Sequence, residues 1–461
     1  MNNDTICALA TANGIGALGI IRVSGPKAFT VTELCFDGKK LSEAESHTVH
    51  YGFIRDGEEQ IDEVMVSVFR APRSFTTEDS AEISFHGSPH IAGRILEVLV
   101  KNGARLAKAG EFTMRAFMNG RIDLTQAEAI ADVIASENEA SRKMALNQLK
   151  GGITREISEL RGDLLNFTSL VELELDFAEE DVEFADRTAM NMLLDRLEDK
   201  LKALTESFRY GNAVKNGVDV AIIGKPNAGK STLLNALLKE ERAIVSDIAG
   251  TTRDTIEEVL HIKGNAFRFI DTAGIRETSD TIEAIGVQKA KEKIATAKIL
   301  LYLYDEHDST PEEVISFVKE FHRDDLKIIL LHNKIDLQHS AQNDFDRQLK
   351  EALVPKLATT ILPLSAKDQT GLDALKNELS AYVENLKTEE NTVISNQRHY
   401  EALQKSLESV ERVKAAISQS FHTELLAYEL RFALEHLGEI SGEFTNDEVL
   451  GNIFSKFCIG K

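Results

Sequence analysis

Gly224-Lys225-Pro226-Asn227-Ala228-Gly229-Lys230-Ser231 has the residue types and spacing of a phosphate cradle. The glycines let the backbone curl, so successive N–H groups turn inward toward anionic oxygen. A helix starting behind the loop adds a partial positive charge. Lys230 is placed to reach the β- and γ-phosphates of a nucleotide, and Ser231 to hold Mg²⁺. Asn227, Ala228, Gly229, Lys230, Ser231 and Thr232 are therefore the first candidate binding residues.

Four further segments complete a nucleotide site. Asp271-Thr272-Ala273-Gly274 follows the alternating run Phe267 to Ile270. A carboxylate there can hold Mg²⁺ through water, and the glycine N–H can touch the γ-phosphate. Gly250-Thr251-Thr252-Arg253 offers a threonine that joins the Mg²⁺ shell while the γ-phosphate is present; taken alone it is also a plain threonine-rich turn. Asn333-Lys334-Ile335-Asp336 follows an Ile- and Leu-rich strand. The Asp336 carboxylate can accept from guanine N1–H and N2–H₂. Adenine has neither donor, and the unpaired carboxylate would cost ~1–3 kcal/mol. Ser365-Ala366-Lys367 closes over the base. Together these motifs predict a GTP-binding domain.

Hydrolysis needs a group that orients water. Ile275 stands after Asp271-Thr272-Ala273-Gly274, where Ras-like switches have a glutamine, and it has no polar atom for the task, so either hydrolysis is very slow or another group does the work. Glu283 is a candidate, directly or through a second water, or else a carboxylate that merely favours a helix start. Asn227 is a candidate oxygen ligand for a monovalent cation beside the phosphates, or else only a loop residue.

These residues need elements to hold them. Strand-like runs at 218–223, 258–262, 267–270, 298–304, 327–332 and 361–364 alternate with helical stretches, predicting a mostly parallel sheet with helices on both faces. Residues 1 to 118 read as mixed α and β. Strands fall at Leu18 to Val23, His47 to Ile54, Val64 to Phe69 and Glu82 to Phe85, and a helix at Ile91 to Val100. Residues 123–150, 152–178 and 187–209 carry helix formers, with Leu160, Leu164, Leu165 and Leu170 taken as the apolar stripe of the second stretch. Helix returns from 396 to 457. The simplest arrangement is a helical domain interrupted by an inserted α/β domain, which is cheap where chain ends lie close together. The acidic stretch 172–186 reads as a solvated face or loop.

Composition narrows the class. At 461 residues the chain exceeds one ordinary core. Its 43% hydrophobic and 28% charged content describes a soluble globular protein. A net charge of −22 excludes a general electrostatic binder of nucleic acid, so any such contact needs a local basic patch or a partner. No apolar run suggests a membrane span or signal peptide, and Cys7, Cys35 and Cys458 make no disulfide framework. A reducing cytosol is the expected compartment.

The segments 224–232, 247–254 and 271–277 resemble the MnmE (TrmE) family of tRNA-modification GTPases. More specific still are Gly110-Glu111-Phe112-Thr113-Met114-Arg115-Ala116-Phe117-Met118-Asn119-Gly120-Arg121 with its continuation to Ala129, and the terminus from Gly442-Glu443-Phe444-Thr445 to Cys458-Ile459-Gly460-Lys461. The resemblance runs from residue 5 to 461. It implies an α/β and α fold. An N-terminal α+β dimerisation and folate-binding domain spans 1–118, and a helical domain is split into 119–214 and 386–461. An inserted Ras-like P-loop G domain fills 215–385.

The resemblance also implies a homodimeric, K⁺-dependent GTPase whose G domains pair across the nucleotide. With a FAD-dependent MnmG (GidA) partner, in a heterotetramer or larger assembly, it implies an aminomethyl-type addition to C5 of the wobble uridine of certain tRNAs. The one-carbon donor is 5,10-methylenetetrahydrofolate, and the bound form is a 5,10-methylene- or 5-formyl-tetrahydrofolate. By motif, the K⁺ ligands are Asn227, Ser246, Ile248 and Thr251, and Mg²⁺ is held by Ser231 and Thr252. Asp247, Ala249 and Gly250 line the same segment, and Glu283 matches the family's catalytic glutamate. By the same resemblance, folate is expected near Arg22, Glu82 and Arg121, with Lys461 reaching in. Arg121 stands where better-known relatives carry Lys, and Ser246 where Thr is common.

Cys458 has two readings. Beside a folate its thiol is a nucleophile or general acid/base; otherwise it is a buried apolar residue. Its terminal Cys-Ile-Gly-Lys is a poor lipidation signal. The amphipathic run Val449, Leu450, Ile453, Phe454, Phe457 docks the tail on a core. Two rival functions remain: a ribosome-assembly GTPase, for which no basic RNA-binding module is evident, and a folate-dependent aminomethyl transferase with GTP as regulator only.

Overall fold

The computed structural model describes residues 4–176, 187–242, 258–270, 294–337, 344–357, 359–387, 392–418, 423–445 and 447–460. In chain order its first part holds β1 (Ile6–Leu9), β2 (Leu18–Ser24), α1 (Ala28–Glu33), β3 (Phe36–Gly38), β4 (Thr48–Asp56), β5 (Glu59–Phe69) and β6 (Ser80–His86). There follow α2 (Pro89–Lys101), β7 (Arg105–Leu106), α3 (Glu111–Met118), α4 (Leu124–Ala135), α5 (Glu139–Leu149), α6 (Gly152–Asp176) and α7 (Arg187–Asn216). The α/β part holds β8 (Val218–Gly224), α8 (Lys230–Arg242), β9 (Glu258–Ile262), β10 (Asn265–Phe269), β11 (Ile299–Tyr304), α9 (Pro311–Phe321), β12 (Lys327–His332), α10 (Asp344–Leu357), β13 (Thr360–Pro363) and α11 (Leu372–Asn385). The chain then runs through α12 (Gln397–Ser418), α13 (Thr423–Ser441) and α14 (Asp447–Ser455). It divides into two compact units. One comprises 1–135, 145–198 and 402–461; the other comprises 136–144 and 199–401.

The first unit is built on a seven-stranded sheet in the order β3-β4-β5-β6-β2-β1-β7, antiparallel except for the short β1·β7 pair. Strict alternation makes β5 two-faced: Val64, Val66 and Val68 are buried while Met65 is exposed. The buried face joins Ile21, Val23, Ile54 and Ile83 to α1 and to Ile95, Val98 and Leu99 of α2. Cys7 and Cys35 lie in this core, where burial pushes their thiols up to about 12 and about 11. On the opposite face Ile6 and Ala8 pack with Phe112 of α3 and with Phe75. β1, β3, β7, α1 and α3 are elements that the sequence reading did not delimit, because all are short.

The helical stripe of α6 differs from expectation. Leu160 and Leu164 are buried, but Leu165 and Leu170 are 58% and 43% exposed. Phe167 and Val171 complete the buried face instead. The reason is the 3.6-residue turn: 160, 164, 167 and 171 share one face, and 165 and 170 fall off it. Leu426, Leu430, Ala433, Leu437 and Ile440 give α13 the same kind of stripe, and α13 packs along α6. Leu450 and Phe454 of α14 join Leu124, Phe117 and Phe457 in a separate cluster, while Val449 stays partly exposed.

The second unit has a six-stranded sheet in the order β13-β12-β11-β8-β10-β9, parallel except for β9 on the edge. The expected architecture is present. Leu233 and Leu237 of α8 and Leu372, Leu375 and Leu379 of α11 cover one face. Val314 and Val318 of α9 with Leu349 and Leu353 of α10 cover the other. Such strands are apolar on both sides, and all six residues of β11 are buried.

An ionic knot fastens α3 to the first sheet. Arg105 Nε donates to Asp4 at 2.7 Å and Arg105 Nη2 to Glu111 at 2.7 Å. Arg115 Nη2 donates to Asp4 at 2.7 Å and to Glu111 at 3.1 Å, and its Nη1 pairs with Glu78 at 3.2 Å. Burial pushes the Glu111 carboxyl up, but Arg105, the Lys108 N–H and Arg115 more than reverse this and leave it below its ordinary 4.5. With the folded value below the unfolded one, the contribution is complete above about pH 4.5 and disappears as pH falls through the lowered value. Glu111→Gln should destabilise the protein by ~1–3 kcal/mol at neutral pH, because Arg105 and Arg115 lose a charged acceptor while Arg115 keeps Asp4 and Glu78. The variant should also lose less further stability than wild type below pH 4.5; denaturant melts across pH measure both, and parallel curves would contradict this role.

Candidate functional site

Because β8, β11, β12 and β13 are parallel, their ends deliver four loops to one edge of the sheet. β8 lies between β10 and β11, where the strand order reverses, and a crevice forms at such a point beyond the strand ends. The phosphate loop leaves β8 there. A Cβ on Gly224 would stand 2.4 Å from the Leu303 carbonyl oxygen, so only glycine lets the loop start beside β11. Asn227 is exposed with φ 63°, a left-handed conformation that Asn tolerates. Lys230 opens α8, and its Nζ bonds the carbonyls of Gly224 at 2.6 Å and Lys225 at 2.8 Å. Ser231 and Thr232 follow in the first turn of α8, where N–H groups and the helix dipole face an anion.

Asn333 ties the loops together. Its side chain is almost fully buried, Nδ2 donates to the Ala228 carbonyl at 2.7 Å, and Oδ1 accepts from the Ala366 N–H at 3.0 Å. A Cβ on Gly229 would fall 2.1 Å from that Nδ2, so the second loop glycine is required by this contact. Ser365 Oγ donates to Asp336 Oδ1 at 2.7 Å and accepts from the Asp368 N–H at 3.2 Å. The bond fixes the Asp336 carboxylate while the residue remains exposed. Lys334 stands at φ 63° and pairs with Asp305, and Lys367 is exposed beside it in sequence to Ala366. The expected residues of the phosphate and base motifs therefore meet at one edge, and Asn333 serves there as the link between two loops.

A second cluster lies in the other unit. Arg22 and Glu82 occupy paired positions on β2 and β6 and form an ion pair at 2.9 Å. The Arg22 guanidinium is 5.0 Å from the Phe75 ring and 5.6 Å from Phe112; that of Arg121 is 5.1 Å from Phe75 and donates to the Ser74 carbonyl at 3.0 Å. Two cations on one aromatic ring, with a carboxylate alongside, suit a flat polar ligand bearing anionic groups. Phe75 was not singled out from sequence, since a lone aromatic between turn residues has no periodic signal.

Cys458 is exposed, so the buried reading does not hold. Its carbonyl accepts from the Gly110 N–H at 3.3 Å and Ile459 bridges to Ala109. Gly460 packs against Leu9 so closely that a Cβ would lie 2.1 Å from its carbonyl oxygen. The tail thus runs beside the end of β1, next to Ala8, the strand partner of Arg22. Ser246, Asp247, Ile248, Ala249, Gly250, Thr251, Thr252, Asp271, Thr272, Ala273, Gly274, Glu283 and Lys461 lie outside the described residues. Among the described residues no group of three or more His, Cys, Asp and Glu is placed to hold a metal, and no helix is long and apolar enough to cross a membrane.

A phosphate loop and a base-reading loop joined at the carboxyl edge of a parallel sheet define a P-loop nucleotide-binding protein. Comparison with known proteins is more specific. The family model described as GTP-binding protein TrmE N-terminus matches residues 5–121, and that of the MnmE helical domain matches 124–458. The tRNA modification GTPase MnmE of Flavobacterium johnsoniae is 50% identical over 100% of both chains, and that of Bacteroides fragilis is 49% identical over 100% of both. The chain belongs to the MnmE family of tRNA modification GTPases. Among solved structures, a single-residue variant of Aquifex aeolicus Era bound to GDP.AlF4- is 29% identical over 42% of this chain and 66% of that one; its TM-score of 0.28 carries no argument.

Asn333→Ala should leave the Ala228 carbonyl and Ala366 N–H without their partner. A loss of ~1–3 kcal/mol in folding stability and a fall of ~10-fold or more in guanine nucleotide affinity are expected. Fluorescent-nucleotide titration beside thermal unfolding checks both, and unchanged affinity would remove Asn333 as the tie.

Proposed function

We propose that the chain hydrolyses GTP at the β8 edge to drive a modification at C5 of the wobble uridine of certain tRNAs, together with a FAD-dependent partner of the MnmG type. The observation that carries the nucleotide half is the Asn333 bridge, which holds the phosphate loop and the Asp336 loop in one constellation. Loop N–H groups, Lys230 and Ser231 cradle the phosphates, and Asp336, fixed by Ser365, accepts from guanine. Thr252 and Asp271 complete this set in our reading, and Glu283 orients the attacking water, because Ile275 has no group to do so. Mg²⁺ fits the hydroxyls of Ser231 and Thr252. K⁺ fits the oxygen donors of Asn227, Ser246, Ile248 and Thr251, and supplies positive charge beside the phosphates.

The second cluster fits a tetrahydrofolate derivative. Arg22 and Arg121 suit its carboxylates and flat ring, Glu82 suits its N–H donors, and a bound folate supplies the one-carbon unit. Cys458 presents an exposed thiol on the tail beside β1, available as nucleophile or general acid/base, with Lys461 three residues on. The net charge of −22 supports a reading in which the partner makes most of the tRNA contact, and the chain acts in that reading as a homodimer within the assembly.

Nucleoside analysis of tRNA from cells lacking the protein tests the reading. The C5 substituent of the wobble uridine should vanish and return with the wild-type chain; its persistence would refute the assignment. Glu283→Ala should leave GTP affinity nearly intact and slow hydrolysis by ~10²–10⁴-fold. Single-turnover hydrolysis with a parallel binding titration separates the two effects, and a large loss of affinity would show a binding role instead.

A further inference from the structure

Asp305 sits directly after β11, and its residue is 4% exposed. It belongs to none of the nucleotide motifs. One carboxylate oxygen pairs with Lys334 Nζ, and the other accepts from the His307 N–H at 2.8 Å. Lys334 is the lysine of the base-reading loop and carries φ 63°, a conformation that L residues with long side chains rarely adopt. Such a conformation persists only where its surroundings over-determine it. The turn that starts at Asp305 is itself rigid: the Asp308 and Ser309 N–H groups both bond the Asp305 carbonyl, at 3.2 and 3.1 Å.

The same turn reaches the phosphate loop. Lys225 Nζ donates to the Asp308 carbonyl at 2.6 Å and to Glu313 at 2.7 Å. Glu313 also closes the capping box of α9 with Thr310. A continuous set of hydrogen bonds, charged at its two ends and backbone-to-backbone within the 305–309 turn, therefore runs from Lys334 through Asp305 to Lys225. Burial pushes the Asp305 carboxyl up, but Lys334 and the His307 N–H more than reverse this and keep it below its ordinary value, so it is an anion at neutral pH.

We propose that Asp305 is a positioning residue for guanine recognition: it holds Lys334 in its left-handed conformation and keeps the base-reading loop in register with the phosphate loop through the 305–309 turn. It touches no nucleotide atom in this role and acts through Lys334. The inference rests on the reading of Asp336 as the guanine acceptor.

The test is a double-mutant cycle in the full-length chain, with GDP and GTP affinities measured by titration of fluorescent analogues and kcat at saturating GTP. Asp305→Asn and Lys334→Ala should each weaken guanine nucleotide binding by ~10-fold, and the double variant should lose no more than about twofold beyond either, the coupling expected of contacting residues. For Asp305→Asn, kcat should stay within about twofold, so the change falls on KM. Losses that multiply to ~100-fold in the double variant would overturn the proposal, as would an Asp305→Asn protein that melts earlier but binds normally. Asp305→Ser, which keeps an oxygen for the His307 N–H without the charge, serves if Asp305→Asn fails to fold; normal binding by it would likewise overturn the proposal. Asp336→Asn is measured alongside. A shift of preference toward xanthine nucleotide upholds the base-reading assignment, so an additive cycle then counts against Asp305 alone; an unchanged preference sinks the assignment itself.

Discussion

The carboxamide of Asn333 is the contact on which the nucleotide site depends. A neutral amide has one donating and one accepting end, and both are used inside the protein, on Ala228 and on Ala366. A buried amide left half-paired would be costly, so the three loops have one mutual arrangement rather than several. That single arrangement explains two glycines: Gly224 makes room for β11, and Gly229 makes room for Asn333. It also brings the strand end before the base loop, the phosphate loop and the Ser365 loop to the same edge, where parallel pairing of β8, β11, β12 and β13 had already aligned their C-termini.

Three lysines at this edge have an acceptor of the protein's own. Lys230 lies on backbone carbonyls, Lys225 on a carbonyl and Glu313, Lys334 on Asp305. Lys334 is paired to a buried carboxylate and is the fixed member of the set.

The Arg22–Glu82–Arg121 cluster in the other unit is held by different physics. A largely antiparallel sheet alternates its side chains, so Arg22 and Glu82 must share the face opposite the valine core. α3 then lays Phe112 over that face, and the Arg105–Asp4–Arg115–Glu111 knot fixes α3 in place. Cys7 and Cys35 disappear into the core with raised thiol pKa values and are chemically quiet, while Cys458 alone of the three is exposed.

The linear chain by itself determined the nucleotide class, because loop glycines, Lys230 and Asp336 are required by chemistry that tolerates few substitutes at those spacings. It determined the α/β architecture too, since buried parallel strands are apolar throughout and cannot be mistaken when helices alternate with them. Helical content in 123–209 was legible from composition, but the buried face of α6 was not. Leu165 and Leu170 are as apolar as Leu160 and Leu164, and only the position of α13 selects the face that includes Phe167 and Val171. The family resemblance named Arg22, Glu82 and Arg121; the ring that gathers the two arginines, Phe75, needed the fold, because it meets them only through β2, β6 and the segment after α3. Asp305 is the same kind of case. In sequence it is an acid after an apolar run. Its partner Lys334 is remote in the chain and near in space because β11 and β12 pair in parallel, and that pairing is a property of the sheet rather than of any segment.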